Sequence, residues 1–307
     1  MSTKGKVHLP TGQEALEKKG WYGAHKYLVL RRLSQAFFLF LFLMGPWFGI
    51  WWVKGNLAGS ETFGILPLND PLILGQMMAS GHWPESTALI GGLIVLVVYA
   101  LIGGRVYCSW VCPINPITDS AHWLHDKLGI QKGWQPKRAT RYWLLGAVFI
   151  VSALTGTIAW EVVNPVTMVH RGLVFGMGWV WGMVLTIFLF DLLVARRGWC
   201  GHVCPVGAFY SLVGVKSLLR VSAVRRDACD DCMDCYAVCP ENQVISPALK
   251  GKGGATPLIL SPDCTNCGRC IDVCAMDVFA FTHRFDSNVE ASPDTGAAIV
   301  PSEKTAA

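Results

Sequence analysis

All twelve cysteines of this chain stand in four short motifs. Two of them, CDDCMDCYAVCP and CTNCGRCIDVCA, share the spacing C-x2-C-x2-C-x3-C. The first holds Cys229, Cys232, Cys235 and Cys239; the second holds Cys264, Cys267, Cys270 and Cys274. Such a run wraps three thiolates around one face of an inorganic cluster and carries the fourth to a neighbouring site on the next helical turn. That is iron–sulfur ligation chemistry. The other two motifs, CSWVCP and CGHVCP, place Cys108 with Cys112 and Cys200 with Cys204, each pair followed by a proline, Pro113 or Pro205. If helical, each pair shares one face, and the proline marks the first position of a new segment or a break.

Bacterial two-cluster ferredoxins carry the four-cysteine run twice, the fourth cysteine of each serving the other cluster. Applied here, Cys229, Cys232, Cys235 and Cys274 form one ligand set, and Cys264, Cys267, Cys270 and Cys239 the other. Pro240 matches the usual proline after the run, whereas Ala275 departs from it; proline is no ligand, so the departure concerns local backbone only. Disulfides are disfavoured in a reducing cytoplasm. Two zinc sites are the metal alternative, although zinc does not require this run twice. For Cys108, Cys112, Cys200 and Cys204 three readings stand open. Pseudo-symmetric hairpins could gather the four thiols around a further metal centre; the pairs could be redox-active dithiols; or they could be buried small residues without chemistry. Recurrence of the whole Cys-x3-Cys-Pro unit speaks against inert packing.

The elements that must position these thiols are membrane helices. The chain of 307 residues is 52% hydrophobic and 15% charged, with 13 Trp, against roughly 25% charged in an average soluble domain. Four apolar runs, Leu33–Val53, Thr87–Gly104, Tyr142–Trp160 and Phe175–Ala195, approach the roughly 20 residues that cross a ~30 Å hydrocarbon core. The first is read as a retained span, because the basic stretch before it is too long for the head of a signal peptide. Lys and Arg number seven, six and six in residues 1–35, 105–141 and 195–226, whereas Lys54 and Arg171 stand alone in the other two loops. The positive-inside rule then places both termini in the cytoplasm. The basic clusters act as topology determinants that also meet anionic lipid; nucleic-acid binding has no support beyond charge.

The expected fold is an α-helical membrane protein: four transmembrane helices as two hairpins, then a small α+β ferredoxin module with two [4Fe-4S] clusters. The bounds are a basic amino-terminal segment over 1–32, the four-span domain over 33–215, the cytoplasmic module over 216–285 and a disordered tail over 286–307, which has little that could form a core. The membrane part is a loose internal repeat, GGRVYCSWVCP answering ARRGWCGHVCP. Its cysteine pairs fall at the cytoplasmic ends of the hairpins. The outer loops are a long one, Lys54–Ser86, and a short one, Glu161–Gly172. No C-x-x-C-H occurs and no apolar run contains His, so the membrane domain has no evident haem ligands. Asp191, inside the last turns of the fourth run, is a functional candidate by its position, or else an interfacial carboxylate neutralised by Arg196 or Arg197. Glu161 could accept a proton from quinol or be an ordinary loop carboxylate.

Together with these motifs, the stretches EALEKKGW, GPWFG, CSWVCPINPITD, SALTGT, FLFDLLV, GWCGHVCPVGA, CMDC and CGRCIDVC resemble the NapH family, the membrane ferredoxin-type subunits of periplasmic nitrate reductase systems. The resemblance covers nearly the whole chain. It implies an inner-membrane electron-transfer subunit of a quinol dehydrogenase complex rather than a stand-alone enzyme. Such a subunit takes electrons from quinol and passes them, with a periplasmic iron–sulfur partner (NapG-like) and often a membrane-anchored multihaem cytochrome, toward the nitrate reductase. The alternative is a redox assembly or metal-reductase factor, of the cytochrome oxidase maturation or methylamine utilisation type. The maturation proteins carry an added carboxy-terminal domain, whereas this chain runs only to Ala307 after Cys274. One tension stands: the cysteines face the cytoplasm and the family's acceptor lies outside. A quinone between the hairpins, or the Cys-x3-Cys-Pro sites, could bridge the gap.

Overall fold

Proline sets where several of the short helices start, and those starts organise the larger part of the chain. The computed structural model describes residues 10–130, 136–251 and 255–286. It divides into two units, one of residues 31–217 and one in which the amino-terminal residues through Leu30 join those from Leu218 onward. The Ser- and Pro-rich tail, from 287 on, lies outside the described residues, as does the start of the chain through residue 9.

Helix α1 (Gln13–Phe48) is interrupted at Gly20, which has a left-handed backbone. Among the described residues it alone is long and apolar enough to cross a membrane. After it come a three-stranded antiparallel meander of β1 (Val53–Gly55), β2 (Gly59–Thr62) and β3 (Leu66–Asn69), with Lys54 opposite Glu61 and Ser60 opposite Leu68. Then follow α2 (Pro71–Ala79), α3 (Ser86–Ile102), α4 (Val106–Trp110), α5 (Ile114–Lys127), α6 (Thr140–Thr155), α7 (Ala159–Val163), α8 (Pro165–Phe175), α9 (Gly178–Leu189) and α10 (Pro205–Val213). The apolar helices α3, α6 and α9 with its continuation to Val194 coincide with the second, third and fourth apolar runs. At 1.5 Å per residue each spans about 25 Å, somewhat less than a ~30 Å core.

The stretches read as outer loops fold into helices of their own. Asp70 caps α2, its Oδ1 accepting from the Leu72 N–H at 2.9 Å, and Asn164 caps α8 in the same way through the Val166 N–H at 3.1 Å. Each cap is followed by proline at the first helical position, where the missing N–H costs nothing and φ is already helical. Helix α2 runs beside α6: Gly75 meets the Phe149 ring, and the buried Gln76 accepts from the Ser152 hydroxyl at 3.3 Å. Helix α8 lies antiparallel to α9, with Val166 and Val169 in one apolar cluster with Ile187 at one end and Gly172 against Val180 at the other. Helix α5 starts in that same cluster at Ile114 and ends where His125 Nδ1 meets the Leu192 carbonyl at 2.8 Å. Helix α10 starts at Cys204 and ends against the turn after α3. A Cβ on Gly104 would lie 1.7 Å from the Tyr210 carbonyl oxygen, so only glycine admits this approach.

In the second unit, β4 (Leu219–Ala223) pairs antiparallel with β5 (Phe279–His283), Val221 opposite Phe281. The short helices α11 (Asp234–Val238), α12 (Ile245–Lys250) and α13 (Arg269–Val273) pack on this ribbon around Val221, Ile245, Ile259, Val278 and Phe279. The amino-terminal part of α1 belongs to this unit. Asp272 accepts the main-chain N–H groups of Tyr27 and Leu28, Asp234 accepts that of Gly12, and Lys19 pairs with Asp277.

Candidate iron–sulfur sites

Within the second unit the two cysteine runs build two pockets. Cys229, Cys232, Cys235 and Cys274 line one of about 350 Å³. Cys239, Cys264, Cys267 and Cys270 line the other, of about 360 Å³. The fourth cysteine of each run thus stands with the first three of the other, because α11 and α13, each one helical turn, carry Cys239 and Cys274 away from their own loops. The loops repeat each other in backbone as well as in sequence. Asp231 and Met233 in the first, Asn266 and Gly268 in the second, occupy matching positions, all with positive φ. Each thiol at the head of a run faces the same kind of side-chain oxygen, Cys229 Sγ lying 3.5 Å from Asp231 Oδ1 and Cys264 Sγ 3.4 Å from Asn266 Oδ1.

Cys235, Cys267, Cys270 and Cys274 are buried and the other four part-buried. Burial pushes the Cys232 thiol up to about 11 and the Cys235 thiol up to about 12, with neighbouring acidic groups or cysteines adding to the shift. Metal capture must therefore drive the protons off. Among the described residues, no three His, Cys, Asp or Glu side chains converge closely enough to hold a single metal ion. A [4Fe-4S] cluster takes its four thiolates at separate corners rather than around one ion.

In the larger unit, Cys108, Cys112, Cys200 and Cys204 line one pocket of about 420 Å³ together with Tyr107, Ile114, Trp160, Pro165, Trp199 and Val206, among others. Neither pair lies along one regular helix. Cys108 sits in α4, Cys112 in the turn before α5, Cys200 in a wide π-type turn and Cys204 at the start of α10. Pro113 and Pro205 mark new segments, the first as the N-cap of α5 and the second as the first residue of α10. The Asn115 N–H donates to the Cys112 carbonyl at 3.3 Å and the Ala208 N–H to that of Cys204 at 3.4 Å. Arg105, three residues before Cys108, crosses to the second motif and donates to the Cys200 carbonyl at 3.2 Å; Arg141 donates to the Gly201 carbonyl at 3.3 Å.

Asp191 is fully buried, and its Oδ1 accepts the Trp199 N–H at 2.8 Å, which fixes the approach to Cys200. Arg196 instead pairs with Asp126 and donates to His122. Glu161 pairs with Arg171 at 3.2 Å and accepts from Asn164 at 3.1 Å. Trp160, Pro165 and Val166 were not singled out from the sequence as site residues. The Asp-Pro and Asn-Pro starts of α2 and α8 were the available signal that both stretches form helices.

A family described as a 4Fe-4S binding domain matches residues 86–131 and 175–222, and one described as a 4Fe-4S dicluster domain matches residues 228–278. The chain is 50% identical over 280 residues to the ferredoxin-type protein NapH of Escherichia coli, covering 91% of this chain and 97% of that protein. It is 49% identical over 279 residues to NapH of Haemophilus influenzae, with the same two shares. It is also 54% identical over 257 residues to the methylamine utilization ferredoxin-type protein MauN of Paracoccus denitrificans, covering 83% of this chain and 90% of that one. No solved structure matches. Motifs, paired thiol pockets and likeness along the chain agree, and the chain belongs to the NapH family of ferredoxin-type iron–sulfur proteins, with MauN proteins among its relatives.

Proposed function

We propose that this protein is a membrane electron-transfer subunit that takes electrons from quinol and passes them toward a periplasmic nitrate reductase through an iron–sulfur partner of the NapG kind. The observation that carries the reading is the division of eight cysteines between two pockets, each lined by three cysteines of one run and one of the other. Cys229, Cys232, Cys235 and Cys274 would hold one [4Fe-4S] cluster and Cys264, Cys267, Cys270 and Cys239 the second. Such clusters, when bound, supply one-electron transfer. The chain's own part is to bring four thiols to each pocket, on loops that pass through left-handed backbone at Asp231, Met233, Asn266 and Gly268. No group of this chain reduces nitrate in this reading.

The same reading takes α1, α3, α6 and α9 as four spans with both termini in the cytoplasm, supported by the agreement of these helices with the four apolar runs and by the Lys and Arg count. A multihaem membrane cytochrome is a further partner of the complex. The likeness to MauN, as high as that to NapH, favours a second reading in which the chemistry is unchanged and the partner belongs to methylamine utilisation. The deciding experiment expresses this chain in a bacterium whose own NapH is deleted and, separately, in one lacking MauN. Restored nitrite formation from nitrate with quinol as the electron source supports the first reading. Restored growth on methylamine without nitrite formation overturns it in favour of the second.

A further inference from the structure

The pocket of Cys108, Cys112, Cys200 and Cys204 takes part of its wall from outside the two segments that the 4Fe-4S binding family covers. Those segments, residues 86–131 and 175–222, carry the four thiols together with Tyr107 and Trp199. Trp160, Pro165 and Val166 come from the stretch between them. Trp160 is 5% exposed, and its indole Nε1 is buried without a hydrogen-bond partner among the described residues. An indole N–H can only donate. A buried donor left without an acceptor is costly, and native proteins keep few of them.

The backbone that carries this indole is gripped by side chains of two other helices. The Trp160 N–H donates to Gln76 Oε1 of α2 at 3.0 Å, and the Ala159 N–H donates to Ser152 Oγ of α6 at 3.1 Å. The Ser152 hydroxyl donates in turn to Gln76 Oε1 at 3.3 Å, and Gln76 Nε2 donates to the Leu72 carbonyl at 3.3 Å. Gln76 and Ser152 are fully buried. A satisfied buried network of this kind holds one arrangement of the backbone it meets, so Trp160 is fixed and not free to turn toward a partner elsewhere. Around it the pocket wall is largely apolar, with Ile114, Pro165, Val166 and Val206, and a buried water needs about two to four polar partners of its own. The acceptor chemistry that the pocket does contain is sulfur. Its four thiols become thiolates on binding metal, and the segments that carry them belong to a 4Fe-4S binding family.

We propose that Trp160 tunes the centre held by these four thiols: its indole N–H donates to a sulfur of the bound cluster, and Gln76 and Ser152 are the positioning residues that keep it there. Reduction adds one negative charge to such a cluster, and a donor on its sulfur stabilises the reduced form more than the oxidised one. Trp160 therefore raises the reduction potential, which is set in part by hydrogen bonds to the sulfurs. The inference rests on a cluster at Cys108, Cys112, Cys200 and Cys204, and is independent of quinol as the electron source.

The experiment is an EPR-monitored redox titration of full-length, anaerobically purified protein, as wild type and as Trp160→Phe. The signal of this centre is the one that Cys108→Ser/Cys200→Ser removes. Trp160→Phe keeps an aromatic wall and loses the N–H, so the midpoint should fall with iron content unchanged. The expected size is about tenfold in the ratio of reduced to oxidised centre at a fixed poise, or about 59 mV for one electron. An unchanged midpoint, the result for a ring that only fills space, overturns the proposal. So does a raised midpoint, the result of admitting water to the centre, since solvent also favours the more negative form. A second measurement needs no variant: with tryptophan carrying the heavy nitrogen isotope in its indole, pulsed EPR of the reduced wild-type centre should show a weak nitrogen coupling. Its absence overturns the proposal even if Trp160→Phe does not fold. If Cys108→Ser/Cys200→Ser removes no iron–sulfur signal, the four thiols hold no cluster and the proposal falls with them. If quinol reduces no centre while the midpoint shift stands, the electron-transfer reading fails alone.

Discussion

Removing the Asp272 carboxylate should release the amino-terminal segment from the module without unloading the clusters. Asp272 is 6% exposed, and its two oxygens accept main-chain N–H groups of Tyr27 at 3.0 Å and Leu28 at 2.9 Å. Hydrogen bonds to a charged acceptor contribute about 1.5–3 kcal/mol each, so Asp272→Ala removes about 3–6 kcal/mol of docking energy and leaves two donors without their acceptor. The remaining anchors include Lys19 on the Ile271 carbonyl at 3.2 Å, Gly12 on Asp234 at 2.9 Å and the Tyr27–Phe281 edge contact at 5.2 Å. They bring the expected effect to the lower end. Three kcal/mol is about 150-fold in an opening equilibrium. Hydrogen exchange of residues 13–30 should therefore speed up by about 100-fold or more, while iron content stays at the wild-type value. Asp272→Asn, which keeps one acceptor oxygen, should fall between. Unchanged exchange in the alanine variant would refute the argument. Loss of iron together with the segment would show that Asp272 holds the cluster loop rather than the segment.

Three further outcomes follow from particular residues. Gly104→Ala places a methyl against the Tyr210 carbonyl oxygen, so the larger unit should lose about 1–3 kcal/mol or more of stability, read as a lower denaturation midpoint in detergent; an unchanged midpoint would contradict the packing described. Met233→Gly relieves a left-handed backbone at an exposed side chain and should stabilise the module by about 0.5–1 kcal/mol, measured by chemical denaturation; destabilisation would count against it. Thiols pushed up by burial, Cys235 to about 12 and Cys232 to about 11, ionise more as pH rises, and only thiolates take up metal. Iron–sulfide reconstitution of apoprotein should therefore quicken from pH 7 to 8.5, by about 30-fold if one deprotonation limits it; a rate that falls with pH would have the wrong sign.

The sequence carried the module well because the information there is local. Cysteine spacing and one helical turn are written within a dozen residues of each run, and Cys239 lines the pocket of the second run while Cys274 lines that of the first. The apolar runs likewise foretold α1, α3, α6 and α9. What escaped was long-range. Lys18, Lys19 and Lys26 read as topology determinants, yet this segment docks through main-chain N–H groups on Asp272, which no side-chain pattern displays. The half-helices α2 and α8 were read as loop because nine and eleven residues are too short for a span. Their Asp-Pro and Asn-Pro starts were visible, but their direction depends on what they pack against. For the same reason nothing local marked Trp160, which lies 5% exposed beside the four-thiol pocket.

The account rests on clusters in the module that accept electrons from quinol, and one measurement addresses this directly. Anaerobic protein in lipid nanodiscs is mixed with a reduced quinol and frozen for low-temperature EPR. Reduced iron–sulfur signals that disappear when Cys229, Cys232, Cys264 and Cys267 are changed to Ser are the expected result. A colourless zinc protein, or iron–sulfur signals that dithionite raises and quinol at no concentration does, would contradict it.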